Sequence, residues 1–261
     1  MNIVVCVKQT FDSEAKIQLN QEGLIDESLV KLIINPYDEY AVEEALRLTE
    51  AYGGRVTLVS VSPKEPAQAL RQGLAMGADS AVWLDCSGID CADQHIHAEL
   101  VGTWLKSQDF DLILCGKEAI DDGAAEFPSR LAEVLDLPQG NTVSSLKMEN
   151  GKAMVRRDIE GGYEIIELNV PCLLSVQKGL NEPRYPSMRR IMEAKRKKID
   201  RILPEDLGLS YENLTPFVQV EAYMLPPPRR AGKILDGTCE QTVADLIRSL
   251  RDEQTMVQEE R

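Results

Sequence analysis

Residues 116–125, Gly-Lys-Glu-Ala-Ile-Asp-Asp-Gly-Ala-Ala, follow a short apolar run and lead into a helical pattern. Backbone N–H groups at a helix N-terminus suit a phosphate, and small side chains let it come close. Loops of this composition also serve plain turns and caps. Neither Gly-x-Gly-x-x-Gly after the first apolar run nor a Walker-type loop occurs. Cys86, Cys91, His95 and His97 are the one cluster with metal-ligand chemistry. Their C-x4-C-x3-H-x-H spacing is not a common zinc pattern, and residues two apart on a helix point to different faces. A polar loop with free thiols and no metal is expected there. The two histidines belong to no nucleophile–base motif, so no catalytic residue is expected. The acid pairs Glu43-Glu44 and Asp121-Asp122 are expected to serve helix surfaces and caps.

A second segment, residues 180–198, concentrates charge of the opposite sign. Pro183 and Pro186 fix a loop, and Ser187 can cap the helix that follows. Met188, Ile191 and Met192 lie beside Arg189, Arg190, Lys195, Arg196, Lys197 and Lys198 in an otherwise acidic chain. Exposed methionine beside positive charge suits docking to varied acidic partners. A solvated basic face with Met and Ile tucked into the core accounts for the same residues.

The elements that must position these residues can be read from periodicity. Apolar runs at 3–7, 56–61, 81–84 and 112–115 alternate with helical patterns at 37–52, 66–76, 92–105 and 126–135. Such alternation predicts an α/β fold, a mostly parallel sheet with helices on both faces. Ligands of such sheets bind at the carboxyl ends of the strands. From 142 onward short strands at 143–148, 153–157, 163–168 and 173–176 are separated by Asn150-Gly151 and Gly161-Gly162, which predicts an antiparallel strand extension. Beyond 199 the pattern offers little core. Pro226-Pro227-Pro228 favours extended chain, and a last helix is expected at 242–250. The expected organisation is a nucleotide-binding domain at 1–198 and an extended C-terminal arm at 199–261 that wraps a partner or packs on its own domain.

Composition narrows the functions. The 261 residues carry a net charge of -14, which disfavours nucleic acid and anionic membranes as partners. No apolar stretch is long enough to span a bilayer. The first residues lack signal-peptide features, and six scattered cysteines suit a reducing, cytoplasmic setting.

Several stretches taken together carry a resemblance. They are NPYDEYAVEEALRL from Asn35, GLAMGAD from Gly73, GKEAIDD from Gly116, VRRDIEGGYEIIELNVPCLLSV from Val155 and GLNEPRYPSMRRIMEAKRKKID from Gly179. In this order, over residues 1–200, the chain resembles electron transfer flavoprotein beta subunits. The resemblance implies a heterodimer with an alpha subunit, FAD held mostly by that partner, and AMP buried in this chain. AMP would lie against Cys6, Asn35, Pro36, Tyr37, Asp38 and Val61. Its loop would comprise Gly116, Lys117, Ala119, Ile120, Asp121, Asp122, Gly123, Ala124, Ala125, Glu126 and Phe127. Tyr37 would lie near the flavin ring. Tyr185, Pro186, Ser187, Met188, Arg189 and Ile191 resemble the loop that anchors partner dehydrogenases. Asp158 stands where an acidic residue helps the flavin domain swing, and the C-terminal arm would embrace the alpha subunit.

At the phosphate loop the chain departs from many members, which have Asp-Asp-Asp and then Asn where it has Asp122, Gly123, Ala124 and Ala125 followed by Glu126. Three nucleotide states therefore stay open: AMP, a second FAD, or an empty site. The leading expectation is an electron shuttle between a dehydrogenase, of acyl-CoA or other type, and a downstream redox acceptor. The alternatives are an electron-bifurcating form that binds a second FAD and oxidises NADH, and a nucleotide-binding regulatory module without a redox role.

Overall fold

The structure is a computed structural model that describes residues 1–228, 232 and 234–259. It falls into two compact units, Met1–Tyr223 and Met224–Arg261.

The first unit is built on a nine-stranded sheet. Its strands are β1 (Asn2–Cys6), β4 (Arg55–Ser62), β5 (Ser80–Asp85), β6 (Leu112–Gly116), β7 (Gln139–Glu149), β8 (Lys152–Ile159), β9 (Gly162–Asn169), β10 (Cys172–Val176) and β11 (Ile199–Ile202). Their order is β11-β5-β4-β1-β6-β10-β7-β8-β9. All pairings are parallel except β7–β8 and β8–β9. A small antiparallel sheet joins β2 (Gln9–Phe11) to β3 (Leu32–Ile34).

Five α-helices flank this sheet: α1 (Pro36–Tyr52), α2 (Ala67–Met76), α3 (Gln94–Leu105), α4 (Phe127–Leu135) and α5 (Met188–Arg196). Alternation along β1 shows how the layers form. Ile3, Val5 and Val7 enter the core shared with α1 and α2. Val4 and Cys6 enter the core shared with α3 and α4. Successive side chains of a strand point to opposite faces, so a strand covered on both sides must be apolar throughout. Each fully buried Leu, Ile or Val contributes roughly 1.5–3 kcal/mol relative to exposure. The order of strand addition reverses at β1: β4 and β5 extend the sheet one way, and β6 returns to the other flank of β1. That reversal opens a crevice at the carboxyl ends of the strands.

Three features differ from the sequence reading. β10 is not part of the antiparallel extension. It runs parallel between β6 and β7 with all five residues buried. A short, uniformly apolar run has no periodicity from which to read strand direction. Residues beyond 199 also contribute more core than their pattern suggests. β11 pairs in parallel with β5, and Leu214 is buried, so the compact unit continues to Tyr223. The sequence reading also did not include β2 and β3, three-residue strands too short for periodicity to register.

In the second unit, α6 (Cys239–Glu259) contains the expected helix. Val243, Leu246, Ile247 and Leu250 lie about half exposed on it, at the i, i+3, i+4, i+7 spacing of one face. No helix among the described residues is long and apolar enough to cross a membrane.

Candidate functional site

The crevice at the β1 switch point is a cleft of about 560 Å³, counted with the solvent at its mouth. Its floor is the strand ends: Cys6 at the end of β1 with Val7 and Lys8 after it, Val59 and Val61 on β4, and Cys115 and Gly116 on β6. Asn35 and Asp38 enter from the start of α1, Gln94, His97 and Val101 from α3, and Phe127 and Pro128 from α4. Glu118, Ala119, Asp122, Ala125 and Glu126 complete the rim.

Asp38 ties the floor together. Its carboxylate accepts the backbone N–H of Lys8 at 2.7 Å, the Asn35 amide at 2.9 Å and the Gly116 N–H at 3.1 Å. Burial pushes this carboxyl up to about 7, against the pull of those donors. Asn35 in turn donates to the Glu118 carbonyl at 2.9 Å and accepts from the Ile120 N–H at 3.2 Å. The loop after β6 is thus fixed to the first turn of α1, which Pro36 opens by supplying a helix-ready φ.

The rim is dense in carboxylates, and each is engaged. Lys8 Nζ sits 2.8 Å from Asp121 and 2.9 Å from Asp122. Burial pulls the Lys8 ammonium down, but the two aspartates outweigh it and hold it above its ordinary value. Glu126 turns to Arg130 at 2.6 Å along α4, and Glu118 pairs with Lys117 at 2.9 Å. Lys117 also lies over the Tyr37 ring, 4.9 Å from its centroid. The first turn of α4 carries no side-chain cap. Gly123 and Ala125 both take positive φ, 59° and 55°. For Ala125 this is a strained conformation, of the kind that collects at ligand-binding loops. The cleft therefore offers apolar walls to a base, and an uncapped helix start with one ammonium to a phosphate.

Of the residues expected at the site, Cys6, Asn35, Asp38, Val61, Gly116, Ala119, Asp122, Ala125, Glu126 and Phe127 wall the cleft. Pro36, Tyr37, Lys117, Ile120, Asp121, Gly123 and Ala124 stand beside or behind that wall, Asp121 through its bond to Lys8. The sequence reading missed Val7, Lys8, Val59, Gln94, His97, Val101, Cys115, Glu118 and Pro128. Gln94, His97 and Val101 carried a usable signal, since their i, i+3, i+7 spacing puts them on one face of α3. His97 donates to the Cys91 carbonyl at 2.8 Å, whereas the His95 ring meets Phe217, 4.5 Å between centroids. Among the described residues no group of three or more His, Cys, Asp or Glu side chains is placed to hold a metal ion.

The basic segment lies elsewhere and divides its residues between the two readings. Tyr185 is 98% exposed and Met188 75%, and Met192 is exposed as well. Ile191 packs against the core, as do Leu180 and Ala194. Ser187 caps α5 through the Arg190 N–H, while Pro186 is half-buried and Arg189 exposed. The acid pair Glu43-Glu44 does not serve an open helix surface. Both are buried, and they clamp this loop: Glu43 takes the Arg184 fork at 2.8 and 3.0 Å, and Glu44 takes the Asn181 amide at 2.9 Å. Asp158, half exposed on β8, pairs with Arg156 at 3.0 Å.

Residues 23–207 match the family described as "Electron transfer flavoprotein domain". The chain belongs to the electron transfer flavoprotein beta-subunit family. It is 41% identical over 258 residues to the electron transfer flavoprotein subunit beta of Bacillus subtilis, covering 98% of this chain and 100% of that one. It is 34% identical to the human subunit beta, over 94% and 96% of the two chains. It is 37% identical to the caffeyl-CoA reductase-Etf complex subunit CarD of Acetobacterium woodii, over 97% and 98%. For this flavoprotein family member, the cleft at the β1 switch point is the candidate nucleotide site, and the exposed Tyr185–Met188 turn is a separate surface.

Proposed function

We propose that this chain is the beta half of a heterodimeric electron transfer flavoprotein, which holds AMP in the switch-point cleft and supplies one wall of an FAD site shared with the alpha subunit. The observation that carries this reading is the cleft itself. It joins apolar walls, Lys8 and the uncapped start of α4 at the position where open α/β sheets bind nucleotides.

FAD supplies the redox chemistry when bound. This chain binds, orients and docks. Val59, Val61, Val101 and Phe127 bracket the adenine, while Lys8 and the first turn of α4 take the phosphate. Asp38 and Asn35 keep the loop in register, Tyr37 faces the flavin side, and Asp158 helps position the flavin-bearing domain. The Tyr185–Ile191 surface receives the electron donor. The name of the A. woodii relative, a caffeyl-CoA reductase-Etf complex subunit, supports an acyl-CoA-type dehydrogenase in that role. A downstream redox acceptor takes the electrons on. The apolar stripe of α6 belongs to the arm that grips the alpha subunit. The assembly works in the cytoplasm.

A second reading has one observation in its favour. Lys8, Val61, Gln94, His97 and Asp122 also line a wider groove of about 2030 Å³, solvent included. A second FAD that begins in the cleft can extend into it, which makes the complex an electron-bifurcating one. The test is to co-express the chain with its alpha subunit, denature the purified complex and quantify the released nucleotides. One FAD and one AMP per heterodimer supports the shuttle. Two FAD and no AMP supports bifurcation, and no nucleotide overturns both.

A further inference from the structure

The loop between β5 and α3 contains two thiols that the nucleotide reading does not use. Cys86 is fully buried directly after β5, and Cys91 lies half-buried on the wall of the wide groove. The chain reverses between them. Ile89 N–H donates to the Cys86 carbonyl at 3.0 Å, with Gly88 at φ 88° as the third residue of the turn. A positive φ at that position defines a type II turn, which glycine adopts without steric cost. Ser87 N–H donates to the Asp85 carboxylate at 2.8 Å and secures the start of the reversal. The returning chain brings the Cys91 side chain to that of Cys86 and to His97. The 2.8 Å bond from His97 Nε2 to the Cys91 carbonyl holds the imidazole in place, and because a carbonyl only accepts, Nε2 carries the proton.

We propose that Cys86 and Cys91 form a modification site for small peroxides, with Cys91 as the attacking thiol and Cys86 as the resolving one. His97 also walls the nucleotide cleft, but neither thiol lines it, so the proposal does not depend on the nucleotide assignment. In the first step the Cys91 thiolate attacks one oxygen of hydrogen peroxide. An S–O bond forms and the O–O bond breaks, and the departing hydroxide takes a proton to become water. Sulfur is oxidised to the sulfenic acid and peroxide is reduced. In the second step the Cys86 sulfur attacks the Cys91 sulfur. The S–O bond breaks, the proton lost by Cys86 leaves with that oxygen as a second water, and a disulfide closes the loop.

The two thiols are made unequal in the direction this order needs. The hydrogen bond from Cys86, with His97 beside it, lowers the Cys91 thiol despite burial. The same contact and burial raise Cys86. Cys91 is thus the thiol that ionises first and the one that reaches the groove.

Cys239 provides an internal comparison, because it is the exposed cysteine among the described residues. If exposure alone governed reactivity, Cys239 would react first. The experiment treats the reduced full chain with limiting hydrogen peroxide, alkylates it and maps the thiols by peptide mass spectrometry. The expected result is a Cys86–Cys91 disulfide, two hydrogens lighter, before Cys239 is modified. In Cys86→Ser, dimedone should trap a sulfenic acid at Cys91. Because Cys86 is buried and its variant can misfold, the unmutated chain carries a second measurement. At pH 6, iodoacetamide should label Cys91 roughly tenfold faster than Cys239, the gain in thiolate fraction exceeding the loss in intrinsic nucleophilicity. Oxidation of Cys239 first, or equal labelling rates, overturns the proposal.

Discussion

A Cβ atom on Gly116 would stand 2.3 Å from Asp38 Oδ1, the same oxygen that accepts the Gly116 N–H at 3.1 Å. The end of β6 and the start of α1 approach so closely that only a hydrogen atom fits between them. The nucleotide loop leaves β6 at this contact.

Gly116→Ala should therefore displace Asp38 or the loop, at a cost of roughly 1–3 kcal/mol. Gly123→Ala is the comparison: unlike Gly116 it has a positive φ, but nothing lies within 4 Å of the added atom. It should cost about 1 kcal/mol, from backbone strain alone. Urea unfolding measures both. Nucleotide retention in the heterodimer should fall further for Gly116→Ala than its stability loss explains.

Acid should release the segment at Phe217 from α3. Asp93 is buried, caps α3 through the His95 N–H at 2.8 Å, and accepts the N–H groups of Phe217 and Val218 at 2.7 and 3.1 Å. Burial pushes this carboxyl up, but the three donors outweigh it and hold it below its ordinary 3.8. A depressed folded pKa contributes stability that is present above the unfolded value and is lost as pH falls through the folded one. Hydrogen exchange at 217–218 should accelerate as pH drops below about 4, beyond the intrinsic pH effect. At pH 7, Asp93→Asn should already show that faster exchange.

Arg184→Ala leaves the Glu43 carboxylate buried without its partner, which should cost about 3 kcal/mol. Arg184→Lys keeps the charge and loses the two-pronged geometry, so it should fall between the variant and the parent. Equal stability of all three in urea would remove Glu43 as the clamp of the 177–187 loop.

Met188→Glu tests the docking surface. With the side chain three-quarters exposed, stability should change by no more than about 0.5 kcal/mol. Electron transfer from the cognate dehydrogenase should slow roughly tenfold or more if this residue anchors the partner. An unchanged rate would place the donor elsewhere on the complex.

Sequence alone determined the elements that repeat a period. The strand at 56–61 and the helix at 37–52 are found within one residue at each end, as β4 and α1, because burial on both faces of a sheet or on one face of a helix dictates residue type at fixed spacing. It also located the loop after β6, since small residues before a helix are a local feature. Family membership was legible because its stretches occur in order over most of the chain.

Tertiary structure decided what depends on partners distant in sequence. Lys8 became a cleft residue through aspartates 113 and 114 positions away. Glu43 became a buried clamp through an arginine 141 positions away. β10 took its central, parallel place because β6 and β7 both needed a neighbour. Met188 and Ile191, alike in composition, went to solvent and to the core because α5 settles one face against α2. None of these outcomes is encoded in a local period. Each follows from which surfaces remain to be covered, and which charges remain to be paired, once the sheet has assembled.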